Sequence, residues 1–347
     1  MYIKRILLII GIVGVVVGGI FAYTVYDAIF SDNTAFNNER AHLYIPTGAD
    51  FNDVTAELTP LLKDVDAFAS VAQKKGYVTN VKPGHYIIKK GMSNNDIINT
   101  IRIKNTPVKV AFNNQERLED MAGRIATQIE ADSTSLINAM LDVNFLREHD
   151  FNKDTALTMY IPNSYEFFWN TSAEDFRARM LSEHKKFWNK TRRAKADKLN
   201  LTPAEVYSLA SIVQKETAKT DERPRVAGVY LNRLKKGIKL DADPTVIYAV
   251  KRTKNDWDMV IKRVLYKDLE TDSPYNTYRN RGIPPGPIFM PDVTAIQAVL
   301  NPEKHNYYYF VADVENFGYH KFAKTLSQHN ANSAAYRRWI NSKKIHR

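Results

Sequence analysis

The chain has 347 residues, 44% of them hydrophobic and 25% charged, which is enough apolar material for more than one buried core and too much for bulk disorder. It has no cysteine, and this excludes a disulfide framework, thiolate metal sites and a cysteine nucleophile. A formal net charge of +11 leaves three anionic partners to weigh: nucleic acid, lipid headgroups and a polymer of the cell wall.

The first segment sets the compartment. Lys4 and Arg5 precede an uncharged stretch from Ile6 to Tyr26, and about twenty apolar residues match the hydrocarbon thickness that a helix must cross. A cleaved signal peptide would have a shorter apolar run ending in small residues, whereas Phe21, Tyr23 and Tyr26 crowd the far end here, as at a membrane interface. Residues 1–26 therefore read as a transmembrane anchor. Lys4 and Arg5 hold the N-terminus in the cytoplasm, and everything from Asp27 lies outside. An exported chain meets little nucleic acid. The basic run from Lys185 to Lys198 reads as a solvated helix face.

Residues 27–40 are polar and aperiodic, a short linker. A unit of strand, turn and helix opening then recurs as LYIPTGADFNDVTAEL, HYIIKKGMSNNDIINTI and KVAFNNQERLEDMAGRI. Gly48 and Gly91 supply the turn in the first two copies, and Gln115 stands in that place in the third. Such a repeat predicts small α+β packing. From Ser133 to Lys198 the pattern is helical, broken by Met159–Ser172, an aromatic-rich stretch with Pro and Asn that reads as an irregular loop. Its rings either pack on a core or floor a sugar cleft.

The segment LTPAEVYSLASIVQKETAK carries the most chemistry. Thr202 and Glu205 form a capping box around Pro203, a firm helix start. Val206, Leu209, Ala210 and Val213 make an apolar stripe, and Glu216 falls on its border, between Leu209 and Ile212. Burial would raise its carboxyl pKa and suit it to general acid work. Two plainer roles compete: an ion pair with Arg223 or Arg225, or a solvated helix end. Downstream, a helix ends near Gly237 and another starts at Asp243-Pro244, with Asp243 placed as its N-cap. SPYNTYRNRGIPPGPIFMP is too rich in turn residues for regular structure and resembles a binding loop. KHNYYYFVAD is a strand, and HKFAKTLSQHNANSAAYRRW returns to helix. No H-E-x-x-H, P-loop or G-x-S-x-G occurs. His320 and His329 have neither a third histidine nor a close acidic partner, so neither metal nor cofactor is expected.

The segments ASIVQKETA (Ala210–Ala218), VYLNRLKKGIKLDADPTVIYA (Val229–Ala249), YNTYRNRGIPPGPI (Tyr275–Ile288) and YYFVAD…H…F…HN (Tyr308–Asn330) together resemble the MltG/YceG family of membrane-bound endolytic murein transglycosylases. The resemblance covers most of the chain. It implies an α+β protein with an N-terminal transmembrane helix, a small LysM-like domain at 41–107 and a larger mixed α/β catalytic domain at 108–347. It implies that Glu216 is catalytic, and that Asp243, Thr245, Tyr275, Asn276 and Tyr278 bind substrate. Gln214 stands where the family often has an acidic residue, which leaves no second carboxylate there. Ile161–Tyr165 reads Ile-Pro-Asn-Ser-Tyr where members often have Leu-Pro-Asp-Thr-Tyr. The implied reaction cuts the MurNAc–GlcNAc β-1,4 bond with a 1,6-anhydro end and terminates nascent strands. The implied partners are peptidoglycan strands and peptidoglycan synthases. A non-catalytic peptidoglycan-binding scaffold is the competing reading, and a hydrolase with Asp241 or Asp243 as second carboxylate is a third.

Overall fold

A computed structural model describes residues 2–342. The chain divides into two compact units, one of Met1–Val110 with Ala126–Ala131 and Tyr165–Ser172, the other of Ala111–Ile125, Asp132–Ser164 and Ala173–Arg347.

Helix α1 (Tyr2–Phe30) has no buried residue and a mean hydropathy of 2.7 over its most apolar window. It is long and apolar enough to cross a membrane. Strand β1 (Arg40–Ile45) then leads into α2 (Phe51–Leu58) and α3 (Val65–Lys74), and β2 (Gly84–Lys89) into α4 (Asn94–Ile103). Gly48 and Gly91 both adopt positive φ, at 82° and 83°, so the turns out of β1 and β2 need glycine as the repeat predicted. Capping boxes start the helices that follow, Asp50 with Asp53 and Ser93 with Asp96. β1 and β2 pair antiparallel with Leu43 opposite Tyr86. Alternation turns Leu43 and Ile45 into a core with Val54, Phe68, Ile88 and Ile97. The polar stretch after α1 is tied down rather than loose. Asn33 donates to Asn94 Oδ1 and to the Asp64 carbonyl, each at 2.7 Å, and both asparagines are buried.

The third copy of the repeat runs through β3 (Val108–Phe112) into α5 (Leu118–Ala126). Its turn has no glycine, and the Gln115 carbonyl instead accepts from the Met290 amide at 2.8 Å. Helices α6 (Ser133–Met140) and α7 (Val143–Glu148) follow. The stretch read as an irregular loop contains a strand, β4 (Asn163–Phe167), which pairs with β3. Its rings go mainly into cores, with Tyr160, Tyr165 and Phe167 buried and Phe168 exposed.

The second unit continues through α8 (Ala173–Phe187), α9 (Lys190–Lys198), α10 (Pro203–Glu216), α11 (Arg223–Lys235), α12 (Asp243–Lys254), α13 (Tyr266–Leu269) and α14 (Val293–Leu300). β5 (Tyr309–Ala312) and β6 (His320–Ala323) form an antiparallel hairpin ahead of α15 (Leu326–Ser342). The segment expected to be all helix from His320 thus opens with a strand. At its centre lies α10, packed by α11, α12 and α14. Every residue from Val206 to Val213 is buried, so this helix has no polar face in that stretch, only a polar start and end. Ser208 and Ser211 tolerate burial because each hydroxyl bonds a carbonyl in the preceding turn, at 2.8 and 2.6 Å.

Candidate active site

Glu216 is the last residue of α10. It does not border a stripe; it terminates a helix that is apolar all round, and its carboxyl emerges where the helix leaves the core. Neither of its plainer roles holds. Arg223 donates to Asp292 and to Thr294 Oγ1, and Arg225 pairs with Glu303 at 3.0 Å. The Tyr230 hydroxyl, from α11, donates to Glu216 Oε1 at 2.7 Å. Glu216 remains partly open to a cleft of about 400 Å³, yet its carboxyl sits deep among protein atoms. Burial pushes its pKa up to about 7; the Tyr230 hydrogen bond and His320 oppose the rise, and Asp243 adds to it.

Leu240, Phe310 and Leu326 supply the apolar wall of this cleft, rather than Leu209 and Ile212, which face the core. The polar lining comes from Tyr230 and Arg233 on α11, Asp241, Asp243 at the first position of α12, and Tyr278 from the turn-rich loop. Tyr309 and His329 complete it. Asp243 is not an N-cap. That position belongs to Ala242, and the Asp243 carboxylate accepts from the Tyr278 hydroxyl at 2.8 Å. Arg233 is fully engaged: it donates to Asp241 Oδ2, to the Lys239 carbonyl at 2.7 Å and to the Tyr308 carbonyl at 3.1 Å. Asp241 has a left-handed backbone, φ 48°, which turns its carboxylate onto that guanidinium. Burial raises the Asp241 pKa, and Arg233 and Lys239 work against the rise.

Of the substrate-binding residues expected from sequence, Asp243 and Tyr278 line the Glu216 cleft. Thr245, Asn276 and Tyr275 do not. Thr245 is fully buried and shares a 2.8 Å hydrogen bond with Thr277 Oγ1, which in turn accepts from the Ala242 amide at 3.0 Å. Asn276 is also fully buried, donating to the Leu269 and Thr271 carbonyls at 2.9 Å and accepting from the Tyr278 amide at 3.0 Å. Tyr275 turns into a separate pocket of about 240 Å³, where its hydroxyl donates to Asp154 at 3.0 Å. Gln214 faces the start of α14, where it exchanges hydrogen bonds with Asp292 at 3.0 and 2.6 Å. It lines no part of the cleft, so its identity has no bearing on how many carboxylates the cleft holds.

Reading the sequence assigned no role to Tyr230, Arg233 or Glu222. The first two share the buried face of α11 with Val226 and Val229, a helical spacing visible in the sequence. Glu222 is buried and accepts from His320, at 2.7 Å from the backbone amide and 2.8 Å from Nδ1. Burial works to raise its pKa, but these bonds outweigh it and hold the carboxyl below its usual range. No cluster of three metal-ligating side chains occurs among the described residues.

Residues 43–335 match the model of the YceG-like family. A Bacillus subtilis protein named endolytic murein transglycosylase is 30% identical, over 94% of this chain and 92% of its own length. A protein of the same name from Streptococcus pneumoniae is 28% identical over 94% of this chain, which spans 63% of that longer relative. The crystal structure of a yceG-like protein from Listeria monocytogenes aligns with a TM-score of 0.57 and 28% identity, over 85% of this chain and 99% of that one.

Proposed function

The chain belongs to the YceG-like family, and on that premise we propose that it is an endolytic peptidoglycan lytic transglycosylase with Glu216 as its acid–base group. One observation carries the assignment: Glu216 is held near neutrality by burial, in an open cleft, with no cation bonded to it among the described residues. A carboxyl poised there can give a proton and take it back.

In the proposed reaction Glu216 protonates the leaving oxygen of the MurNAc–GlcNAc β-1,4 bond. The MurNAc 6-hydroxyl then attacks the anomeric carbon and gives its proton to the same carboxylate, closing a 1,6-anhydro ring without water. Asp243 and Asp241 set two further carboxyl groups beside the oxocarbenium-like centre, and Tyr309 and Phe310 line the cleft in which the sugar would sit. Thr245 and Asn276 act from behind, the first by fixing the Ala242 backbone between the two aspartates, the second by fixing Tyr278.

Glu216→Gln keeps the shape and cannot transfer the proton. It should release anhydro-ended fragments from purified glycan strands at about 10³-fold lower rate, and a normal rate would refute the assignment. Because Asp241 and Asp243 share the cleft with Glu216, hydrolysis is the second reading. Product mass separates the two, since hydrolysis adds one water.

In our reading α1 is a single-pass anchor with the N-terminus in the cytoplasm, supported by Lys4, Arg5 and the apolar length of the helix. The order β1, α2, α3, β2 with its antiparallel strand pair supports a LysM-like module. Action on nascent strands beside peptidoglycan synthases would suit an enzyme tethered there. The chain has no native cysteine, so single cysteines placed before and after α1 and probed with an impermeant thiol reagent would report the topology.

A further inference from the structure

The proton chemistry proposed for Glu216 needs its carboxyl to present one oxygen to the cleft in a fixed direction. Tyr230 is the only side chain hydrogen-bonded to Glu216 among the described residues, and it binds Oε1. The phenol is itself well fixed. It is 2% exposed, and the Phe310 ring stands edge-on to it at 5.9 Å between centroids and 87° between planes. Burial and the neighbouring Glu216 push its pKa well above the usual tyrosine value, so the hydroxyl stays protonated and remains a donor. A phenol hydroxyl has one hydrogen, and here it points at Oε1.

The other charged and titratable groups around the carboxyl make no hydrogen bond to it among the described residues. Arg233 of α11 is bonded to Asp241, and Asp243 of α12 accepts from Tyr278. His320 of β6 is bonded to Glu222. His329 of α15 approaches Ser333 Oγ through Nε2 at 3.4 Å and stacks on Tyr309, while its buried Nδ1 has no hydrogen-bond partner and makes no bond to Glu216. None of them competes for the second oxygen of Glu216.

We propose that Tyr230 is a positioning residue that occupies Oε1 and leaves Oε2 of Glu216 as the single oxygen for both proton transfers. This rests on the reading of Glu216 as the acid–base group. In the first step the Oε2 proton passes to the leaving GlcNAc oxygen as the C1–O bond breaks and its electron pair goes to that oxygen. The carboxylate left behind is stabilised by the phenol on Oε1. In the second step the MurNAc O6 forms its bond to C1, and the O6 proton passes to Oε2. Glu216 ends protonated as it began, and no water is consumed. Both the leaving oxygen and the attacking hydroxyl must therefore come to the same side of the carboxyl, one after the other.

Two substitutions in the full chain, kept in detergent and given isolated glycan strands, test this. Tyr230→Phe removes the donor. Release of anhydro ends should fall about tenfold or more in kcat with KM within about threefold, because the loss acts on the reacting group and not on binding. The alkaline limb of the kcat profile should move to higher pH, since the carboxylate loses a stabilising donor. Replacing Tyr230 by a difluorotyrosine keeps the packing and strengthens the donor, so that limb should move to lower pH. Opposite shifts from the two variants would support the role. An unmoved limb in the difluorotyrosine protein, or a slow Tyr230→Phe protein whose limb stays in place, would show that Tyr230 merely supports the fold and would overturn it. Normal turnover in Glu216→Gln would instead remove the premise.

Discussion

The second unit holds two carboxyl groups that each accept a hydrogen bond from a buried tyrosine, and they differ in what else surrounds them. Glu216 accepts from Tyr230 at 2.7 Å, and Asp154 accepts from Tyr275 at 3.0 Å. The difference is the cation. Arg252 lies at 2.8 Å from the same Asp154 oxygen, with its guanidinium 4.6 Å from the centre of the Tyr275 ring. In the Glu216 cleft the nearest guanidinium, Arg233, is spent on Asp241 and two backbone carbonyls. A paired carboxylate has its charge compensated and serves as a brace. A buried carboxyl without a cation holds its proton to about pH 7 and can work as an acid. A tyrosine bonded to a carboxyl therefore does not mark a site by itself; the missing counter-charge does.

The largest expected contrast is in turnover. Glu216→Gln should cost about 10³-fold, while Asp154→Asn, assayed on the same strands, should leave the rate within about threefold. Equal losses in both would abolish the distinction. A smaller effect should follow from giving the cleft the cation it lacks. Leu326 lines the cleft and is 54% exposed, so Leu326→Lys can place an ammonium there without burying it. Activity at neutral pH should fall about fivefold, with recovery at lower pH as the Glu216 limb moves down by about one unit. A pH profile that keeps its shape would mean that the lone cation is not what separates the two sites.

Stability should respond in the opposite sense to activity. The folded carboxyl of Glu216 titrates near 7 against an ordinary 4.5. The folded state thus holds the proton more tightly between those values, and stability falls as pH rises through that window. Glu216→Gln removes the penalty. Urea unfolding near pH 8 should show a gain on the order of 2 kcal/mol, and none near pH 4. The smallest expected change is that of Tyr275→Phe, which loses one hydrogen bond to Asp154 and should cost about 1 kcal/mol with little effect on turnover.

Much of the local structure was legible in the chain, for reasons that can be named. Gly48 and Gly91 stand where only a positive φ closes the turn, and the capping pairs Thr202 with Glu205 and Ser93 with Asp96 mark helix starts. These are interactions within a few residues, so sequence order states them directly. β4 and β6 were missed because each is five residues or fewer and is a strand only by virtue of its partner. The face of α10 was misread because periodicity compares apolar with polar residues, and Ser208 and Ser211 count as polar until their hydroxyls are seen to bond the preceding turn.

The site divides along the same line. Glu216 was singled out from its own segment as a carboxyl on the border of an apolar stripe, where burial would be costly without a function. Thr245, Tyr275 and Asn276 lie within the same short motifs as Asp243 and Tyr278, yet they face away from the cleft. Adjacent residues in a turn point in different directions, and nothing in their order says which. Tyr230 needed the packing of α11 beside α10 to reach Glu216, and Arg233 and Asp241 share its cleft only through the tertiary fold. The sequence by itself therefore determined the apolar N-terminal helix and the repeated strand–turn–helix units, and it singled out Glu216 as the candidate acid. Only the tertiary structure decided that the Glu216 carboxyl would be buried without a bonded cation and hydrogen-bonded at one oxygen, because a pKa and a direction depend on which groups long-range packing brings near and which it engages elsewhere.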